Sequence, residues 1–167
     1  EEVLSALSEL NDTQIIFSLP NSDAEGRMLQ RKIKEFAEFR KNVKTFASLG
    51  QLRYLSCLKF VDCVIGNSSS GLIEAPTLKT ATINIGDRQF GRLKADSVLD
   101  CKPQKDEILA AVRSVYTPKV RHLLRDVKNP YGEGCASNAI VKILERESLD
   151  GLLRKSFYDM PHIQSDF

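Results

Sequence analysis

Residues 63–76 read CVIGNSSSGLIEAP. A short apolar run ends in Gly-Asn, three serines and a second glycine, and a single carboxylate follows one helical turn later. Runs of this kind, Val/Ile-rich and bounded by turn residues, are strands. A strand that opens through a flexible, hydroxyl-rich turn into a helix is the repeating joint of an α/β protein, so this joint decides the fold.

The same alternation recurs on both sides of this joint. Upstream, 1–10 reads as a helix with Val3, Leu4, Leu7 and Leu10 on one side. TQIIFSLP (13–20) reads as a strand closed by Pro20 and the turn NSDAEG. Residues 26–40 form a basic amphipathic helix with Met28, Leu29, Ile33, Phe36 and Phe39 as its stripe. Strands at 43–47 and 61–65 flank the helix QLRYLSCLKF. Downstream, ATINIG (81–86) and SVLDC (97–101) are strands, 105–115 is a helix resuming after Pro118, and 137–147 is a last helix beyond the NPYGEG turn. Strands alternating with helices predict βαβ units, a parallel sheet and helices on both faces. The pattern starts in a helix, so its usual first strand is not visible, which suggests a fragment of something longer. The tail after residue 150 lacks periodicity and is expected to be irregular.

Composition excludes several classes. Twenty-four basic against 22 acidic residues leave a net charge of +2, too little for a nucleic-acid or acidic-membrane partner. No apolar run approaches the ~18 residues of a spanning helix. The start, EEVLSALSEL, is acidic where a signal peptide is basic, which predicts a cytoplasmic protein. Cys57, Cys63, Cys101 and Cys135 form no C-x-x-C pair, and His122 and His162 lie far from them. Reduced, mostly buried thiols, no metal and no cofactor are therefore expected. Both histidines read as surface or helix residues.

The serine joint itself admits two readings. Ligands of open α/β sheets bind at the carboxyl ends of the strands. There, a helix starting near Ser68–Ser70 offers free amides, its dipole and hydroxyl donors, and Gly66 and Gly71 let backbone approach an anion. Glu74 lies four residues past Ser70, on the same face and about 6 Å deeper. It can accept from vicinal hydroxyls, so diphosphate at the mouth and ribose below describe a nucleotide. Equally, the serines can simply cap the helix, with Glu74 favoured by its dipole. INIGDRQFGR (83–92) leaves the next strand and brings Arg88 and Arg92, suited to bidentate anion recognition or to a solvated turn. No Walker lysine and no G-x-G-x-x-G is present, and Pro76 implies a kinked or short helix.

DCVIGNSSSGLIEAPTLKTATINIGDRQFGR (62–92) resembles the hydrolysing UDP-N-acetylglucosamine 2-epimerases of sialic-acid-type pathways. LPNSDAEG (19–26) and NPYGEGCAS (129–137) are similar to two further turns of that family. The resemblance implies a Rossmann-like three-layer domain with a parallel sheet, the C-terminal half of a GT-B fold, over 1–150, with 151–167 as a tail. It implies that Ser68 and Ser69 meet the diphosphate of UDP or a UDP-amino sugar, Glu74 the ribose, and the backbone from Phe46 to Leu49 the uracil, with Ser70, Gly71 and Arg88 also in the UDP site. The family's proton-handling carboxylates and histidine belong upstream of Glu1, so the fragment is expected to be inactive alone. Its implied partner is the missing N-terminal domain, in a homo-oligomeric full-length enzyme. A GT-B glycosyltransferase and a non-catalytic UDP-sugar sensor are the alternatives.

Overall fold

A computed structural model describes residues 1–20, 24–151, 153, 154 and 157. These divide into two compact units, Glu1–Glu133 and Gly134–Phe167. The first runs α1 (Glu2–Leu7), β1 (Ile15–Ser18), α2 (Ala24–Glu38), β2 (Val43–Phe46), α3 (Gly50–Phe60), β3 (Cys63–Gly66) and α4 (Ser70–Ile73). A 3-10 turn (Ala75–Leu78), β4 (Ala81–Ile85), β5 (Val98–Cys101), α5 (Lys105–Val115) and α6 (Pro118–Asp126) complete it. The second unit holds α7 (Ala136–Arg146), whose Ile140, Val141, Ile143 and Leu144 are exposed. Of the expected turn NSDAEG, residues 21–23 lie outside the described residues, as does most of the expected irregular tail, while residues 24–26 already belong to α2 rather than to a turn.

All strand pairs are parallel, as the alternation requires. They form two sheets, β1-β2 and β3-β4-β5, where the sequence suggests one. Among the described residues no ladder joins β1 to β3. The two still share packing, because Ile65 of β3 rests against the cluster of Leu7, Ile15 and Val43, and both Val3 of α1 and Leu10, just past the end of that helix, touch both core clusters.

The core sits on β4, which is buried at every position. Its Ala81, Ile83 and Ile85 face Ala6 of α1 and Ile108, Leu109, Val112 and Val115 of α5. Glu2 of α1 also caps α5, accepting from the Lys105 amide at 2.9 Å where Gln104 gives no side-chain cap. On the opposite face Thr82 meets α4, donating its hydroxyl to the Gly71 carbonyl at 2.8 Å. A Cβ on Gly71 would lie 2.5 Å from Thr82 Cγ2. Close helix–strand packing therefore accounts for this glycine, a different role from the room for an anion that the sequence suggests.

Several details differ from the sequence reading. The α2 stripe is buried only at Ile33 and half-buried at Phe36, while Met28, Leu29 and Phe39 are exposed. The helix has just a two-stranded sheet beneath it, so a five-residue stripe finds no matching surface; Phe36 instead meets Phe17 edge-on at 6.1 Å. All four cysteines are free, but three are half-buried and Cys135 is exposed rather than mostly buried. Pro76 ends α4 after one turn, and the chain continues as a 3-10 turn with the proline in its first positions, where no N–H is needed.

Gly71→Ala should lower stability by about 1–3 kcal/mol through overpacking. Adding Thr82→Ser, which removes the offending methyl and keeps the hydroxyl, should restore most of it in urea unfolding. If the double variant is no more stable than the single one, the Gly71–Thr82 contact does not set the spacing. Burial, aided by the Asp62 charge, pushes the Cys63 thiol from 9.0 up to about 11. The folded state thus holds this proton more tightly than the unfolded chain. The contribution is complete below about pH 9 and is lost as pH rises toward 11. The fall in urea midpoint over that window should be shallower in Cys63→Ala.

Candidate functional site

The carboxyl ends of β3 and β4 lie side by side, Gly66 opposite Asn84, so the loops that leave them are neighbours. Gly66 has φ 151° and the helix that follows begins only at Ser70, which leaves Asn67, Ser68 and Ser69 as an open bend. Gly71 N–H donates to Ser68 O at 3.2 Å, and Leu72 and Ile73 donate to Ser69 O. The amides of Ser68 and Ser69 donate to no partner among the described residues. Ser68 is exposed and Ser69 half-buried. Because α4 is a single turn, its dipole is small, and an anion here would be held by these amides and hydroxyls rather than by a long helix axis.

The second loop closes on the first through Asn67. Gln89, 2% exposed, donates Nε2–H to the Asn67 carbonyl at 2.7 Å. Arg88 Nη1 lies 3.4 Å from both the carbonyl and the side-chain oxygen of Asn67, and its side chain is exposed. The guanidinium is thereby held beside the serine bend with donors to spare. Farther along, Lys94 and Asn84 both reach the Asp100 carboxylate, at 2.8 and 2.6 Å, fixing the base of the loop to β5. Arg92 is exposed, and among the described residues its side chain makes no hydrogen bond to the bend.

Glu74 stands at the end of α4, half-buried, and accepts a short hydrogen bond from the Ser70 hydroxyl on Oε2. The Ser70 hydroxyl is also 2.5 Å from the Tyr54 hydroxyl on α3. The Ser70 hydroxyl is thus committed on both sides, whereas the Ser68 hydroxyl only accepts, from the Ser70 amide at 3.4 Å, and keeps its own proton to donate. Tyr54 ties the start of α3 to the serine bend, and the β2–α3 loop lies just before it. Phe46 ends β2 and its carbonyl already accepts from Leu19 N–H at 2.9 Å; Leu49 is the half-buried residue before α3. From Gly50 to Tyr54 is one helical turn, about 6 Å.

The NPYGEG turn is anchored to the same region. Asn129 Nδ2 donates to the Ile73 carbonyl at 2.8 Å and to Thr77 Oγ1 at 2.7 Å, and the Tyr131 hydroxyl donates to Leu93 O at 3.1 Å. His122 is exposed on α6, 4.0 Å from Asp126, as a surface helix residue would be. A concavity lies between α2 and β2, lined by Arg31, Lys34, Glu35, Val43 and Thr45; no serine-bend residue lines it.

Sequence reasoning passed over Asn67, Gln89 and Tyr54. Tyr54 carried one signal: Leu58, four residues on, is apolar and buried, so the two share the inner face of α3.

This is a parallel α/β fold of the Rossmann-like kind, and solved GT-B structures share it. The structure of Methanocaldococcus jannaschii UDP-GlcNAc 2-epimerase in complex with UDP-GlcNAc and UDP superposes with TM-score 0.66 at 21% identity, covering 86% of this chain and 40% of that one. The sequence matches the family described as UDP-N-acetylglucosamine 2-epimerase over residues 1–145, and the chain belongs to that family. It is 37% identical over its whole length to polysialic acid biosynthesis protein P7 of Escherichia coli, covering 43% of that protein. It is 34% identical over 95% of its length to GDP/UDP-N,N′-diacetylbacillosamine 2-epimerase (hydrolyzing) of Campylobacter jejuni, covering 41% of it. The chain thus spans about two fifths of the length of these relatives.

Gln89→Ala should free the second loop from Asn67 and cost about 1–3 kcal/mol, since a buried hydrogen bond is lost and a hole remains. Urea unfolding measures it; a change under about 0.5 kcal/mol would mean the two loops are held together by something else.

Proposed function

We propose that residues 1–150 are the UDP-binding domain of a hydrolysing UDP-GlcNAc 2-epimerase, with 151–167 as a tail. The observation that carries this reading is the union of the two strand-end loops through Asn67, which sets Arg88 beside the free amides of Ser68 and Ser69. Family membership and the hydrolysing relative from Campylobacter jejuni support it.

The diphosphate of UDP lies against the Ser68 and Ser69 amides and hydroxyls with Arg88 alongside. Glu74 holds the ribose, its Oε1 having no hydrogen-bond partner among the described residues. The uracil lies toward Phe46–Leu49. In the complete enzyme the proton at sugar C2 is removed and the C1–O bond breaks. Its electron pair leaves with UDP, and a C1–C2 double bond forms. Water then adds across that bond, hydroxyl to C1 and proton to C2, giving N-acetylmannosamine. This chain's share is to hold the leaving group; an N-terminal domain moves the protons, in a homo-oligomeric, cytoplasmic enzyme. An upstream strand between β1 and β3 would unite the two sheets, a reading supported by their unjoined parallel edges and shared core. The Campylobacter jejuni relative favours a diacetamido sugar as the second candidate substrate.

Calorimetric titration of the complete polypeptide with UDP tests the site. Glu74→Ala should weaken UDP roughly 10- to 100-fold, the worth of hydrogen bonds to a charged group, with Arg88→Ala of similar size. Both variants should stay folded. Unchanged affinity accompanied by lost stability would return the serine bend to a helix cap. Amino sugar released into water without an acceptor would separate the epimerase from a glycosyltransferase and from a sensor.

A further inference from the structure

The contact between Tyr54 and Ser70 has a direction that proton counting fixes. A serine hydroxyl has one proton, and a carboxylate can only accept. Ser70 donates its proton to Glu74 Oε2, so it must accept at Tyr54, and the phenol is the donor. The chain therefore runs Tyr54 O–H to Ser70 O–H to Glu74. Each link polarises the next.

We propose that Tyr54 is a positioning residue for ribose recognition: through Ser70 it locks Oε2 of Glu74 and turns Oε1 toward the sugar hydroxyls. The inference rests on the UDP reading above. Without the relay, Glu74 follows a one-turn helix and can turn among rotamers. With it, one oxygen is held and the other is left for the ligand. α3 is a firm base for the donor, since its Leu58 carbonyl accepts from the buried Thr80 hydroxyl at 2.5 Å, just ahead of β4. Burial first, and then the Glu74 charge, raise the Tyr54 phenol above its ordinary value despite the Ser70 hydrogen bond, so it keeps its proton at neutral pH. Nothing in this scheme needs Tyr54 to touch the nucleotide.

The test compares UDP with 2′-deoxy-UDP, measured as the ratio of their Kd values in the complete polypeptide. Wild type should prefer UDP. Tyr54→Phe should lose about three- to tenfold of that preference, one hydrogen bond's worth. Ser70→Ala should lose a similar factor, and the double variant no more than either. A general loss of structure, or a lost phosphate contact at Ser70, would weaken both ligands equally and leave the ratio intact. Full retention of the preference in Tyr54→Phe overturns the proposal. So does an effect of Tyr54→Phe that Ser70→Ala does not share, which would mean direct contact with the ligand. Should Tyr54→Phe fail to fold, Ser70→Ala decides alone by the same ratio. If wild type shows no preference and Glu74→Gln binds UDP normally, the ribose reading itself fails and this inference with it.

Discussion

The distance between α4 and β4 is the constraint on which the site depends. Thr82 lies against the backbone of Gly71, and no side chain intervenes. A helix held this close to a buried strand cannot slide, so the bend that precedes it is fixed relative to the strand ends. β4 can impose this because it is itself immobilised, with α1 and α5 covering its other face. Placing the serine bend is thus a packing matter first and a polar matter second.

Polar contacts then determine how the neighbouring loops meet that bend. Main-chain Asn67 takes Gln89, α4 takes Tyr54 through Ser70, and the end of α4 takes Asn129. These three attachments come from three different segments and converge on residues 67–73. Individually a neutral hydrogen bond contributes only about 1 kcal/mol net. Their effect is geometric: they restrict the loops whose ends carry Arg88, Glu74 and the free amides to one arrangement. Restricting them before a ligand arrives lowers the ordering cost of binding.

Much of this was legible in the sequence, for a physical reason. Element order follows from local periodicity and turn chemistry, and IGNSSSGLIEAP announces its strand, bend and short helix residue by residue. Glu74 was readable because it stands four residues from Ser70 on one helix. Tyr54 was not, because it reaches Ser70 from another helix 16 residues away, and only packing brings them together. The exposure of Met28, Leu29 and Phe39 was equally hidden. A stripe shows that a helix can bury a face, but how much is buried depends on the width of the sheet beneath. Gly71 was misread in emphasis for the same reason: sequence shows the absent side chain, and the strand behind it shows why it is absent.

On the proposed reading, the arrangement also explains a division of labour. Charge grows on the diphosphate as the C1–O bond breaks, so donors aimed there stabilise the transition state more than the bound sugar nucleotide. Amides fixed by the Gly71–Thr82 contact need little reorganisation to meet that charge. Glu74, being anionic, would oppose the same charge if it stood at the mouth of the bend. Its place at the far end of α4, with one oxygen occupied by Ser70, keeps it off the phosphates and limits it to hydroxyl donors. One short helix therefore offers donors at its start and an acceptor at its end. That polarity matches a ligand that is anionic at one end of its backbone and hydroxylated at the next.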